Sequence, residues 1–184
     1  MKASLNTTGR SLFFLSVMFI STGIRAQYMA EAIHHTTVQE LFEAGEKADR
    51  AGDRVIAIGF YEQLLNKEPT HVNTLLQRGF CRTIQKEYPK AISDFTAVIS
   101  QKKDHSWAYT SRGSAYAKLD KHDLAIADFN KVLQLDPKNE EAFNNRGWSR
   151  KATGDMKGAC KDWSSSKQMG NAEAKIILKN NRCR

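Results

Sequence analysis

Residues Ser106–Asn139 read SWAYTSRGSAYAKLDKHDLAIADFNKVLQLDPKN, and most of the flanking chain is a variation on this stretch. Its Gly113 has counterparts at Gly45, Gly79 and Gly147, each 34 residues from the next. That period divides the chain, without insertions, into Val38–His71, Val72–His105, Ser106–Asn139 and Glu140–Glu173. A fixed period of this length signals a stack of supersecondary units rather than one irregular globule.

Two helices are expected in each copy. Polar or glycine residues break the copies near the middle, at Gly52-Asp53, Lys86-Glu87, Asp120-Lys121 and Gly154-Asp155. Pro69 and Pro137 stop the second helix of copies one and three, because proline has no N–H to give to a helical bond. Copy two closes instead on Gln101-Lys102-Lys103-Asp104, and copy four on Gly170-Asn171. Small residues recur where the paired helices must approach: Gly45/Ala57, Gly79/Ala91, Gly113/Ala125 and Gly147/Ala159. An aromatic stands beside each pair (Tyr61, Phe95, Phe129, Trp163), and these columns are assigned to the core. Thr37-Val38-Gln39-Glu40 has the form of a capping box, which places the first helix start there.

One pair of columns varies together. Arg78, Arg112 and Arg146 precede the glycine of copies two to four, and Asp94, Asp128 and Asp162 precede the aromatic of the same copies. Copy one has Ala44 and Phe60 there, losing both partners at once. Arg–Asp contacts bridging the two helices of one copy are therefore expected, with a structural role.

On these residues the chain resembles the tetratricopeptide repeat proteins. The family's small, aromatic and proline positions fall on Gly113, Tyr116, Ala125, Phe129 and Pro137. Two columns depart from it: Tyr116 is matched by Ala48, Arg82 and Arg150, and the late small position holds Leu64, Val98, Val132 and Ser166. The resemblance implies an all-α fold, a right-handed α-solenoid of four helix hairpins over residues 38–71, 72–105, 106–139 and 140–173. A capping helix and basic tail would follow at 174–184, with Ile176, Ile177 and Leu178 sealing the last apolar face. The C-terminal stretch GACKDWSSSKQMGNAEAKIILKNNRC is similar to that of small exported bacterial members. The resemblance also implies a concave groove lined by the first helices, carried here by Phe42, Glu46, Leu76, Phe80, Trp107, Thr110, Asn144, Trp148 and Lys151. Aromatics set among polar groups suit a peptide or helix held by a few anchors. The Lys/Asn clamp of chaperone-tail-binding members does not map, since its first-repeat positions hold Phe42 and Glu46.

The two ends carry the charge. Lys and Arg total 28 against 20 acids, a formal +8. Residues 1–26 contribute Lys2, Arg10 and Arg25, the last eleven contribute Lys175, Lys179, Arg182 and Arg184, and neither stretch holds an acid. The body between is near neutral and its first copy is acidic, so a nucleic-acid-binding face is not expected. Residues 1–26 read as a cleaved export signal: a basic start, the apolar run Leu12–Ile20, and small residues before a cut after Gly23 or Ala26. The run is far short of a bilayer span of ~20 residues, and an uncleaved anchor is the other reading. Residues 27–37 form a short linker whose His34-His35 are read as solvated rather than metal-bound.

Export makes the compartment, periplasmic or extracellular, oxidising. An antiparallel return of the cap would bring Cys183 to Cys160, so a Cys160–Cys183 disulfide is expected, with two free thiols as the alternative. Cys81 shares its column with Ala115 and Ser149 and is read as a buried, inert thiol. No H-E-x-x-H, G-x-S-x-G, P-loop or Cys-x-x-Cys occurs, so no catalytic residue, metal or cofactor is assigned. The expected function is a non-enzymatic scaffold or adaptor for another protein or peptide in the bacterial cell envelope. A self-associating structural module and an accessory subunit of an envelope enzyme complex are the alternatives.

Overall fold

Nine α-helices account for the regular structure among the described residues, 36–183, of a computed structural model. They are α1 (Val38–Arg50), α2 (Arg54–Lys67), α3 (Val72–Ile84), α4 (Tyr88–Gln101), α5 (Ser106–Lys118), α6 (His122–Leu135), α7 (Glu140–Ala152), α8 (Met156–Gln168) and α9 (Ala174–Asn180). The chain divides into two units, Met1–Glu40 and Leu41–Arg184. The expected signal segment and His34-His35 lie outside the described residues.

In the first unit, Thr37 Oγ1 accepts from the Glu40 backbone N–H at 3.1 Å, and Glu40 Oε2 accepts from the Thr37 backbone N–H at 2.8 Å. This reciprocal pair is the capping box. The bonds from Thr37 hold the Glu40 carboxyl below its usual pKa. The same repeat position caps the later first helices. His71 Nδ1 accepts from Thr74 N–H (3.3 Å), His105 Nδ1 from Ala108 N–H (3.2 Å) and Asn139 Oδ1 from Ala142 N–H (2.9 Å). The recurrence of histidine is thus helix capping by a ring nitrogen.

In the second unit, each hairpin closes where a glycine faces a ring. Cβ atoms built on Gly79, Gly113 and Gly147 would stand 2.6, 3.0 and 2.6 Å from Phe95, Phe129 and Trp163, and Gly45 meets Tyr61 in the same way. All four rings are fully buried, as are Ala57, Ala91, Ala125 and Ala159. Leu64, Val98, Val132 and Ser166 are equally buried, so this position is filled by larger apolar groups. Ser166 instead bonds the Glu140 carbonyl at 2.8 Å, tying α8 to the start of α7. Between hairpins, Leu65 of α2, Leu75 of α3, Val98 of α4 and Ala108 of α5 form a continuous apolar cluster.

The turn inside each hairpin uses one left-handed residue: Gly52 (φ 88°), Lys86 (φ 62°), Asp120 (φ 56°) and Gly154 (φ 87°). Lys86 and Asp120 hold this conformation at a steric cost that glycine avoids.

The arginine and aspartate columns meet. Arg78 donates Nε and Nη2 to Asp94 (3.2 and 2.7 Å), Arg112 to Asp128 (2.9 and 2.8 Å) and Arg146 to Asp162 (2.9 and 2.6 Å). Each pair is bidentate and each aspartate is buried. The column that departs from tyrosine adds to this. Arg82 and Arg150 donate a further bond to Asp94 and Asp162, both at 2.8 Å, while Tyr116 lies 5.9 Å from the Arg112 guanidinium.

Three of the arginines also reach the preceding hairpin at one repeat position. Arg82 bonds Glu62 (2.9 Å), Arg112 bonds Thr96 (3.1 Å) and Arg146 bonds Asn130 (2.6 Å). The arginines therefore join hairpins to one another as well as helices within a hairpin, which the paired columns did not disclose.

The last hairpin is closed by α9. Ala174 is fully buried, with Ile177 and Leu178 beside it in the half-buried class, one helical face at i, i+3, i+4. Ile176 falls off that face and is 62% exposed, so it does not share the sealing role expected of all three apolar residues. A disulfide joins Cys160 of α8 to Cys183 beyond α9, with Cα atoms 5.5 Å apart.

Gly79→Ala should cost about 1–3 kcal/mol in urea unfolding, because the added methyl meets the Phe95 ring. Gly59→Ala, with open space at its Cβ, should instead stabilise by about 0.5–1 kcal/mol. Asp162→Ala should cost about 3 kcal/mol by the same measurement, because it strands the Arg146 and Arg150 bonds together. An unchanged unfolding midpoint would remove the pin role.

Candidate functional site: the face of the first helices

The groove positions expected from the sequence fall in two repeat columns on α1, α3, α5 and α7, with Trp107 and Lys151 outside both. In the column Phe42, Leu76, Thr110, Asn144, the side chains turn partly inward. Phe42 packs on Tyr61 (6.1 Å between ring centroids) and edge-on against His71 (5.8 Å), and Leu76 joins the inter-hairpin cluster. Thr110 is buried and its hydroxyl donates to the Ser106 carbonyl at 3.2 Å, so it offers little surface. Asn144 Oδ1 is enclosed without a partner among the described residues.

The column Glu46, Phe80, Ser114, Trp148 stands further out. Glu46 pairs with Arg50 at 3.6 Å, and Phe80 leans on Phe95 with centroids 5.6 Å apart. Trp148 stacks edge-on against the core Trp163 at 5.0 Å yet remains 43% exposed. Trp107, near the start of α5, is 67% exposed. Lys151 lies 5.2 Å over the Trp148 ring and donates to Asn181 Oδ1 at 2.6 Å. It is thereby tied to the cap rather than held free for a ligand.

Of the nine expected residues, Trp148 alone lines a cleft of about 380 Å³ between α5 and α7. Its walls are Ser114, Ala117 and Lys118 of α5, Asn145, Trp148 and Ser149 of α7, and His122 and Phe129 of α6. Trp148 supplies the exposed aromatic surface, and the serines, Asn145 and His122 supply polar atoms. His122 Nδ1 is buried with no hydrogen-bond partner among the described residues, an acceptor or donor in reserve at the cleft wall. Trp107 lies outside this cleft, in a notch of about 90 Å³ with Ser106, Thr110, Asn139 and Glu141.

Ser114 was open to sequence reasoning, since it shares a repeat column with Phe80 and Trp148. His122 was not, because it belongs to a second helix and has no counterpart in the other copies.

Among the described residues no group of three or more His, Cys, Asp or Glu is placed to hold a metal ion, and no helix is long and apolar enough to cross a membrane. Cys81 is packed with Ala57 and Tyr61 between the first two hairpins. Burial, with Asp49 adding to it, pushes its thiol up to about 12, which leaves it protonated and unreactive at neutral pH.

Comparison with known proteins agrees with this architecture. The tetratricopeptide repeat model matches residues 106–139, the stretch that sets the period. The serine/threonine-protein phosphatase T of Aspergillus oryzae is 30% identical over 96 residues, which is 51% of this chain and 20% of the phosphatase. The chain thus spans about a fifth of the length of that curated relative. A solved structure of the first TPR of Spaghetti (RPAP3) bound to HSP90 peptide SRMEEVD superposes with a TM-score of 0.61 at 27% identity, covering 64% of this chain and 93% of that one. The crystal structure of MamA superposes with a TM-score of 0.73 at 18% identity over 94% of this chain and 99% of that one, a likeness of fold. Four in-register 34-residue hairpins, the glycine–ring contacts that close them and these matches make the chain a tetratricopeptide repeat protein.

Proposed function

We propose that the chain is a non-enzymatic adaptor of the bacterial cell envelope that holds a peptide or helix of a partner protein along its first helices. The observation that carries this reading is the cleft between α5 and α7, where Trp148 stands 43% exposed among Ser114, His122 and Asn145. A large amphipathic ring with polar groups around it is the usual anchor of a protein contact. The peptide bound by the first TPR of Spaghetti supports the ligand class. It does not carry over the ligand, since Phe42 and Glu46 occupy the clamp positions and are engaged with Tyr61, His71 and Arg50.

Support for the envelope comes from the sequence of residues 1–26, with its basic start and short apolar run, and from a disulfide suited to an oxidising compartment.

Trp148→Ala should leave the helical circular dichroism intact and weaken partner capture from crosslinked envelopes by roughly thirtyfold, the cost of removing one anchor (about 2 kcal/mol). Capture unchanged in the folded variant would move binding off this face. N-terminal sequencing of the exported protein should begin at Ile24 or Gln27, and a start before Ser21 would remove the export reading.

A further inference from the structure

The C-terminal end of the array holds a second cleft, unrelated to the groove of the first helices. It measures about 470 Å³ and is lined on one side by Lys157, Cys160, Lys161 and Ser164, which share one face of α8 at i, i+3, i+4, i+7. The far wall is the turn after α9, Asn181, Arg182 and Cys183, held against α8 by the Cys160–Cys183 bond.

The repeat period shows what this cleft replaces. Val55, Ile58 and Glu62 of α2 occupy the same repeat positions as Lys157, Cys160 and Ser164. They line a smaller cleft of about 200 Å³ against the next hairpin, with Gln85, Glu87 and Lys90 opposite. In that position Glu62 takes the Arg82 guanidinium, as Thr96 and Asn130 take Arg112 and Arg146. After Ser164 no further hairpin follows in the described residues, and the acids of the inner cleft are gone.

What remains is cationic. From Met156 onward seven bases stand against two acids, Asp162 and Glu173. Asp162 is buried under Arg146 and Arg150, and Glu173 does not line the cleft. Lys157, Lys161 and Arg182 have no ion pair or side-chain hydrogen bond among the described residues. Several other polar groups of the α9 turn are already engaged. Asn181 Oδ1 takes Lys151, its Nδ2 donates to the Ile177 carbonyl, and the Leu178 and Lys179 carbonyls accept from Cys183 and Arg182 N–H.

We propose that this cleft is a disulfide-dependent docking site for an acidic segment, a run of Asp and Glu carboxylates, of a partner protein. Two lysines one helical turn apart and an arginine across a recessed cleft suit successive carboxylates of a chain lying in it. A recess suits such a chain better than it suits a flat anionic membrane surface. The disulfide contributes by fixing the Arg182 turn opposite the two lysines, so reduction frees the third cation from the site.

The test uses the purified oxidised chain and fluorescein-labelled hexaglutamate, read by anisotropy at physiological ionic strength, where bulk attraction is screened beyond about 8 Å. The expected result is saturable binding, weakened at least tenfold by Lys157→Glu/Lys161→Glu and severalfold by Arg182→Glu. Cys160→Ser/Cys183→Ser should also weaken it severalfold, while Lys102→Glu/Lys103→Glu, the same charge change between α4 and α5, should leave it unaltered. Hexaglutamine should not bind. Equal affinity in all the variants, or an equal loss in the Lys102/Lys103 control, would overturn the site. Binding of phosphatidylserine vesicles through Lys157, Lys161 and Arg182 without binding of hexaglutamate would overturn the acidic-segment reading in favour of a membrane surface. Retention of full affinity in the cysteine variant would overturn its dependence on the disulfide.

Discussion

The structure depends on a contact made four times, a glycine on the first helix of a hairpin lying against a ring on the second. A larger residue would crowd the ring: a Cβ at Gly79 or Gly147 would fall 2.6 Å from Phe95 or Trp163. With the helices that close, the ring and its alanine neighbour are removed wholly from water, and burying an aromatic of this kind stabilises by roughly 2–3 kcal/mol. Helices held that near also bring an arginine and an aspartate, sixteen residues apart in sequence, within bidentate reach. The buried ring and the ion pair both rest on this close approach.

The charged layer converts separate hairpins into an array. A desolvated aspartate is costly unless its oxygens are filled. Here Asp94 and Asp162 each receive three guanidinium bonds and Asp128 two. The same arginines then reach back to Glu62, Thr96 and Asn130. Apolar contacts such as Leu65 with Leu75 join neighbours without direction, whereas these bonds set the register of one hairpin on the next. At the last hairpin, α9 and a disulfide take over.

Most of the fold was legible because it repeats. A single glycine or arginine says little, but four copies at one spacing separate constraint from chance, and the loss of arginine and aspartate together from copy one pointed to their contact. Legibility ended where a residue has no counterpart. His122 in the α5–α7 cleft, the exposure of Ile176 and the Lys151–Asn181 bond each depend on geometry that no period encodes. Thr110 shows the converse: its repeat column is shared with the half-buried Phe42, Leu76 and Asn144, yet packing against neighbouring hairpins buries it. Column membership assigns a direction, and local packing decides how much surface is left.

Every side-chain link described between elements joins residues no more than 30 positions apart, the longest being Lys151 to Asn181. Such an array has little loop-closure entropy to overcome and needs no distant strands to find each other, so its formation is governed by neighbours. Its ends are also unequal. The last hairpin is cross-linked, while the first lacks the arginine–aspartate pair altogether. Opening of the second unit should therefore proceed as a wave from α1 and α2 toward the interior, with amide protection lowest in hairpin one and greatest in the hairpins pinned on both sides.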